Sequence, residues 1–233
     1  MFAFKLLSAL SSAALLVSAA TLSSRKDSHG NGKECCEISK DTMDLPPDQT
    51  ALVAPTTDPL FVMLGVGIQN YTCSSTTSTY ASIGAVASLF DISCLEKSDF
   101  AEVQTKAFKT WSKASAKTKA TSIGATVGAP NLLGFHYFVT SPSGTGLSPK
   151  WDFTSTGKFA GNATAFVLAA KVGDMAAPTN PAVNVDWLAL NNVQGALASK
   201  VFRIDTVGGQ PPSSCVPGSA PISVKYTSKY FLF

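Results

Sequence analysis

The chain has 233 residues, 18 of them Lys or Arg and 15 Asp or Glu, for a formal net charge of +3. Charged residues make up 14% of it, against roughly 25% in an average globular protein, so the chain is too apolar to be disordered and too weakly basic to carry a nucleic-acid face. Its two His leave no three-His metal site, and its length suffices for one domain with a sizeable core, held by neither metal nor cofactor.

The first twenty residues read as a secretory signal: a basic start at Lys5, an apolar run from Leu6, and small residues Ser18-Ala19-Ala20 for cleavage. That apolar run is too short to span a bilayer, and no later stretch is long and apolar enough to do so. Residues 21–43 are polar and predict a flexible arm, while 44–233 predict a single β domain. Secretion implies an oxidising compartment, where the five Cys (Cys35, Cys36, Cys73, Cys94 and Cys215) form two disulfides and leave one thiol. Adjacent Cys35 and Cys36 do not pair with each other, and the spacing fits no zinc pattern. Two sequons, at Asn70 and Asn162, are glycan acceptors in a eukaryotic host.

Within the domain, residues 50–54 predict a short strand. Leu60, Val62, Leu64, Val66 and Ile68 alternate, predicting a half-buried strand over 60–73, with Gly65 and Gly67 on its other face meeting a bulge or a close neighbour. Further β-like runs lie at 80–90, 133–139, 150–153, 164–171, 185–190, 200–207, 222–226 and 229–233, separated by Gly- and Pro-rich turns. About ten short strands at this spacing predict a mainly β domain, an antiparallel β-sandwich or barrel. One segment breaks the pattern. Phe100, Val103, Ala107, Phe108 and Trp111 recur at helical spacing, and Asp99 with Glu102 resembles a capping box, so an inserted helix is predicted near 99–113, packed on the sheet or across an opening. Lys106, Lys109, Lys113, Lys117 and Lys119 form a basic cluster there, read as a solvated face or as a site for acidic partners.

Several chemistries are missing. Gly65-Val-Gly67 lacks the third glycine and the following helix of a dinucleotide fingerprint, and there is no Walker loop, nucleophile elbow or H-E-x-x-H. His136 lies between aromatics in Gly134-Phe-His-Tyr-Phe138. Its plain reading is a packed, hydrogen-bonded core residue; its functional reading is a general base working with Asp152 or Asp205 in an extracellular hydrolase or lyase. Asp205 alternates onto one face with Arg203, which predicts an in-sheet ion pair. Trp151 and Tyr137 are candidates for a sugar-stacking platform if they share an exposed concave face. The leading expectation is therefore a secreted, extracellular or cell-wall-associated module that binds polysaccharide or plays a structural part, with catalysis by His136 as the alternative.

A set of phrases occurs together: Leu64-Gly-Val-Gly-Ile-Gln-Asn-Tyr-Thr-Cys73, Leu89-Phe-Asp-Ile-Ser-Cys94, Gly134-Phe-His-Tyr-Phe138, Ser148-Pro-Lys-Trp-Asp-Phe153, Asp186-Trp-Leu-Ala-Leu190, Val201-Phe-Arg-Ile-Asp-Thr-Val-Gly-Gly-Gln-Pro-Pro212 and Val224-Lys-Tyr-Thr-Ser-Lys-Tyr-Phe231. Over roughly 45–233 the chain resembles a family of secreted proteins of unknown function from filamentous fungi and some bacteria. Its members are often named malate dehydrogenase automatically, a label that the missing fingerprint does not support. Shorter bacterial relatives lack the insert at 94–120 but keep counterparts of Cys73 and Cys215. The resemblance thus implies a Cys73–Cys215 bridge and leaves Cys94 to pair with Cys35 or Cys36. Phe135 stands where relatives often have a polar residue or a second His, which argues against a two-His site. The family supplies no established catalytic residues.

Overall fold

Alternating apolar residues build eight strands: β1 (Phe61–Cys73), β2 (Tyr80–Asp91), β3 (Leu132–Thr140), β4 (Leu147–Asp152), β5 (Phe166–Met175), β6 (Trp187–Gln194), β7 (Lys200–Gly208) and β8 (Ile222–Leu232). Each pairs with the next in antiparallel fashion, and β8 returns to β1 to close a barrel. The structure is a computed structural model that describes residues 43–233. The described residues belong to one compact unit. The expected signal segment, most of the arm, and Cys35 and Cys36 lie outside the described residues.

The mainly β antiparallel class is as the sequence predicts, in its barrel form. Eight strands replace about ten for two local reasons. Residues 50–54 are not a strand, because the Gln49 side chain closes a turn there: its amide donates to the Leu52 carbonyl at 2.8 Å and accepts from the Leu52 N–H at 2.7 Å. The runs at 222–226 and 229–233 fuse into β8, because the polar pair between them does not interrupt the ladder. Thr227 and Ser228 are fully buried, and the Thr227 hydroxyl donates to the Gln104 carbonyl at 2.8 Å.

Two apolar layers share the barrel wall. Met63, Leu89, Leu133, Trp151, Val167, Leu190, Val201 and Tyr230 contribute one side chain from each strand to a single cluster; this is the lumen, filled as expected for eight strands. Val62, Leu64, Val66, Phe202, Ile204 and Phe231 face outward and are covered by Val103, Ala107 and Trp111 of helix α1 (Lys97–Lys113). β1 is therefore buried on both faces, not half-buried. Gly65 faces the lumen, where an added Cβ would lie 2.5 Å from a ring carbon of Tyr230, so the close neighbour expected there is an aromatic ring.

Helix α1 packs on the outer wall rather than across an opening. It starts two residues earlier than predicted, with Glu96 as N-cap and no side-chain cap. That places Asp99 inside the first turn, so the capping box does not form, and Asp99 instead pairs with Lys106 at 2.7 Å on the exposed face. At the other end, the Lys225 ammonium donates to the carbonyls of Trp111 (2.8 Å) and Ala114 (2.6 Å), a basic side chain closing the helix C-terminus. The Trp111 indole N–H donates to the Gly67 carbonyl at 2.7 Å, bolting the helix to β1.

Cys73 and Cys215 form a disulfide with a Cα separation of 5.8 Å, joining the end of β1 to the segment before β8. Cys94 is disulfide-bonded as well. Among the described residues no helix is long and apolar enough to cross a membrane.

Candidate functional site

β3 and β4 form a hairpin whose register pairs His136 with Trp151, Tyr137 with Lys150 and Phe135 with Asp152. Successive residues of a strand point to opposite faces, so these pairs divide between the lumen and the outer wall. His136 and Trp151 face inward, each 2% exposed, with ring centroids 4.4 Å apart and planes 22° from parallel. The Nδ1–H of His136 donates to the Lys150 carbonyl at 2.9 Å. Burial pushes the imidazole pKa down to about 3; that hydrogen bond works against the shift, and the charge of Arg203 adds to it. His136 is neutral, sealed and stacked. The Trp151 indole N–H has no hydrogen-bond partner among the described residues.

The outer face of the same hairpin carries a polar knot. The Tyr137 hydroxyl donates to Asp152 Oδ2 at 2.5 Å, and Lys150 Nζ reaches the same oxygen at 2.8 Å. The Thr154 N–H donates to Oδ1 at 2.9 Å. Burial works to raise the Asp152 pKa, but the hydrogen bonds from Lys150, Tyr137 and Thr154 outweigh it and hold the carboxyl well below the usual carboxylate range. For the Tyr137 phenol, burial and the bond to Asp152 both push the pKa up. With both oxygens occupied, Asp152 is an anchor, poorly suited to trade protons with a substrate.

The structure therefore does not bring together the sets that the sequence suggested. His136 and Asp152 lie on opposite faces of the wall, which corrects their pairing as base and acid. Trp151 and Tyr137 are divided in the same way, so they form no common platform. His136 faces the lumen, whereas Asp205 pairs with Lys229 on the outer layer beside α1. The sequons differ too. Asn162 is exposed in a turn, its Oδ1 accepting from the Thr164 N–H and hydroxyl at 3.1 and 2.9 Å. Asn70 lies within β1, its Oδ1 accepting from the Ser223 hydroxyl at 2.7 Å.

Asp205 is the candidate that opens onto a cavity. The β7–β8 ladder shifts register between Ile204 and Val207, and Asp205 at this bulge has φ of 50°, a left-handed conformation that costs a non-glycine residue about 1–2 kcal/mol. Bulges and strained residues of this kind re-aim side chains and cluster at functional sites. Here the bulge turns Asp205 away from Arg203, so the expected in-sheet pair is not made. The Arg203 guanidinium donates to the Asp186 carbonyl at 2.8 and 3.1 Å instead, while Asp205 Oδ2 pairs with Lys229 Nζ at 2.9 Å. Lys229 is 3% exposed, with its ammonium 4.4 Å from the centre of the Phe100 ring. A lysine this deeply buried requires its counter-ion, which fixes the carboxylate in position.

The cavity beside it measures about 410 Å³, within the usual range for small-ligand sites. Asp205 and Thr206 of the bulge, Gln104 and Thr105 of α1, Trp187 at the start of β6 and Asp44 line it. The side-chain oxygen of Gln104 is buried with no hydrogen-bond partner among the described residues. Of these residues the sequence marked Asp205 alone. Gln104 carried a usable signal: it is i+4 from Phe100 and i−3 from Ala107, a polar residue inside the apolar stripe of the helix. Trp187 is 7% exposed and forms part of the cavity wall. Among the described residues no group of three or more His, Cys, Asp or Glu side chains is placed to hold a metal.

Neither the curated proteins nor the solved structures include a match to this chain. Residues 54–233, which include all eight strands and α1, match a family described as Protein of unknown function (DUF3455). The chain belongs to the DUF3455 family.

Proposed function

We propose that the protein is a secreted, non-catalytic binding module that takes a polysaccharide into the cavity beside Asp205. The observation that carries this reading is the Asp205 bulge: a strained acidic residue, held by a buried lysine and aimed at a cavity of mixed lining. A sugar ring offers apolar C–H faces rimmed by hydroxyls. Its match is a Trp wall with fixed carboxylate, amide and hydroxyl groups around it. The cavity provides these in Trp187, Asp205, Gln104 and Thr105, and the unpartnered Gln104 oxygen is an acceptor for a ligand hydroxyl. Secretion is supported by the basic, apolar, small-residue order of residues 1–20 and by the Cys73–Cys215 disulfide. The non-catalytic reading is supported by the burial of His136 and the occupied carboxylate of Asp152.

The test is co-sedimentation of the purified protein with insoluble chitin, β-glucan and cellulose. Thr105→Trp fills the cavity from an exposed position and leaves the Asp205–Lys229 pair untouched; Tyr137→Ala alters the polar knot on β3 and β4. Pelleting on one polymer, lost in Thr105→Trp and kept in Tyr137→Ala, is the expected result. Pelleting on none of the three overturns the ligand, and pelleting that survives Thr105→Trp moves the site away from the cavity.

A further inference from the structure

A second cavity lies at the C-terminal end of α1, and its character is opposite. It measures about 460 Å³ and runs between the C-terminal end of the helix and the outer face of β1 and β2. Ile68, Val86, Trp111, Ala116, Ala120 and Phe135 supply half of its lining, and no acidic residue lines it. Val86 is 50% exposed in the middle of β2, an apolar side chain left open where its neighbours Ala85 and Ala87 are buried. Lys225 also lines the groove, but its ammonium is committed to the Trp111 and Ala114 carbonyls and sits 4.6 Å from the centre of the Trp111 ring. It closes the helix end.

The segment that forms one wall is basic. Lys113, Lys117 and Lys119 alternate with the lining residues Ser115, Ala116 and Ala120. All three lysines are exposed, and none forms an ion pair with a described residue. An apolar trough whose wall residues alternate in the chain with exposed lysines complements a molecule with an apolar body and a single anionic head.

We propose that this groove binds a free long-chain carboxylate, with its alkyl chain along Ile68, Val86 and Phe135 and its head toward Lys113, Lys117 and Lys119. The two parts of the ligand act separately. The chain contributes by leaving water, at roughly 25 cal/mol per Å² of apolar surface buried. The head contributes through exposed charges, which salt weakens.

The experiment titrates laurate, below its micelle concentration, into the purified secreted protein, read by calorimetry and by tryptophan fluorescence, since Trp111 lines the groove. Saturable binding of one laurate per chain is expected. Val86→Glu, at a half-exposed position, sets a charge against the chain and weakens binding about tenfold or more. The double variant Lys117→Ser/Lys119→Ser changes only exposed side chains, leaves the melting temperature in place and weakens binding about fivefold. Dodecanol, with the same chain and no charge, binds more weakly than laurate by a similar factor. The proposal is overturned by the absence of saturable binding, by equal affinity for dodecanol, or by unchanged affinity in both variants. It is also overturned if the protein ignores free laurate and associates only with phosphatidylglycerol vesicles, since the lysines would then read a bilayer surface.

Discussion

The two faces of the β3–β4 hairpin carry nearly the same inventory, an aromatic ring beside a titratable group, and put it to opposite uses. On the inner face, His136 and Trp151 stack in the lumen without solvent. On the outer face, at the positions flanking them in each strand, Tyr137, Lys150 and Asp152 form a charged knot. The difference teaches that residue type says little about function in a barrel wall: the pleat decides whether a histidine titrates and whether a tryptophan meets a ligand. The same contrast recurs across the wall at Asp205, where a bulge overrides the pleat and turns a side chain toward a cavity.

Breaking the inner face has the largest effect. Trp151→Ala removes a side chain packed against His136 and Tyr230 and destabilises the fold by about 3–5 kcal/mol, to be read from urea unfolding. Should Trp151→Ala melt like the wild type, the lumen would not be the core described here.

The bulge comes next. Asp205→Ala leaves Lys229 buried without its counter-ion and costs about 3 kcal/mol. Asp205→Asn tolerates the left-handed backbone and keeps a side-chain oxygen to accept from Lys229, so its loss is smaller. Adding Lys229→Met to Asp205→Ala removes the stranded charge and restores most of the stability. A double variant no better than Asp205→Ala would show that the strained backbone, not the buried lysine, sets the role of Asp205.

Much of this contrast is legible in the sequence, and the missing part has a physical cause. Alternation at Val62, Leu64 and Val66 marks a strand, and Gly134-Phe-His-Tyr-Phe138 places His136 and Tyr137 on opposite faces. The sequence does not say which face is the lumen, because β1 and its neighbours are apolar on both sides once α1 covers the outer one. Nor does it mark the bulge after Ile204: no glycine stands at Asp205, and strict alternation pairs that residue with Arg203. The turn at Gln49 and the unbroken run through Thr227 and Ser228 depend on hydrogen bonds to the Leu52 backbone and to Gln104, partners that a strand pattern does not name.

A pH series sharpens the inner face. The His136 pKa lies near 3 in the fold, against an ordinary value of 6.5, so between these limits the unfolded chain binds a proton that the native state refuses. The stability from keeping His136 neutral is full above pH 6.5 and falls as the pH drops. Moving from pH 7 to pH 5 removes about 2 kcal/mol through this one residue. His136→Phe keeps an aromatic ring in the lumen and has no proton to bind, so its stability changes by about 2 kcal/mol less over the same interval. Equal pH dependence in the two proteins would mean that His136 takes up its proton without unfolding.

The outer knot gives the smallest effect and tests the other half of the contrast. Asp152 has a folded pKa below its ordinary value of 3.8, so its contribution is present at neutral pH and is lost only as the solution becomes more acidic than about pH 4. Tyr137→Phe deletes one of the donors to this carboxylate and leaves Lys150 and Thr154 in place. The expected loss at pH 7 is about 1 kcal/mol. With one donor gone, the Asp152 pKa moves back toward its ordinary value, and acid unfolding of the variant begins at a higher pH than in the wild type. The acid limb thus separates the faces: Tyr137→Phe moves it to higher pH, while His136→Phe flattens the slope between pH 7 and pH 5. If Tyr137→Phe leaves the acid limb where it was, the phenol is not what holds the carboxylate charged, and Lys150 and Thr154 do so without it.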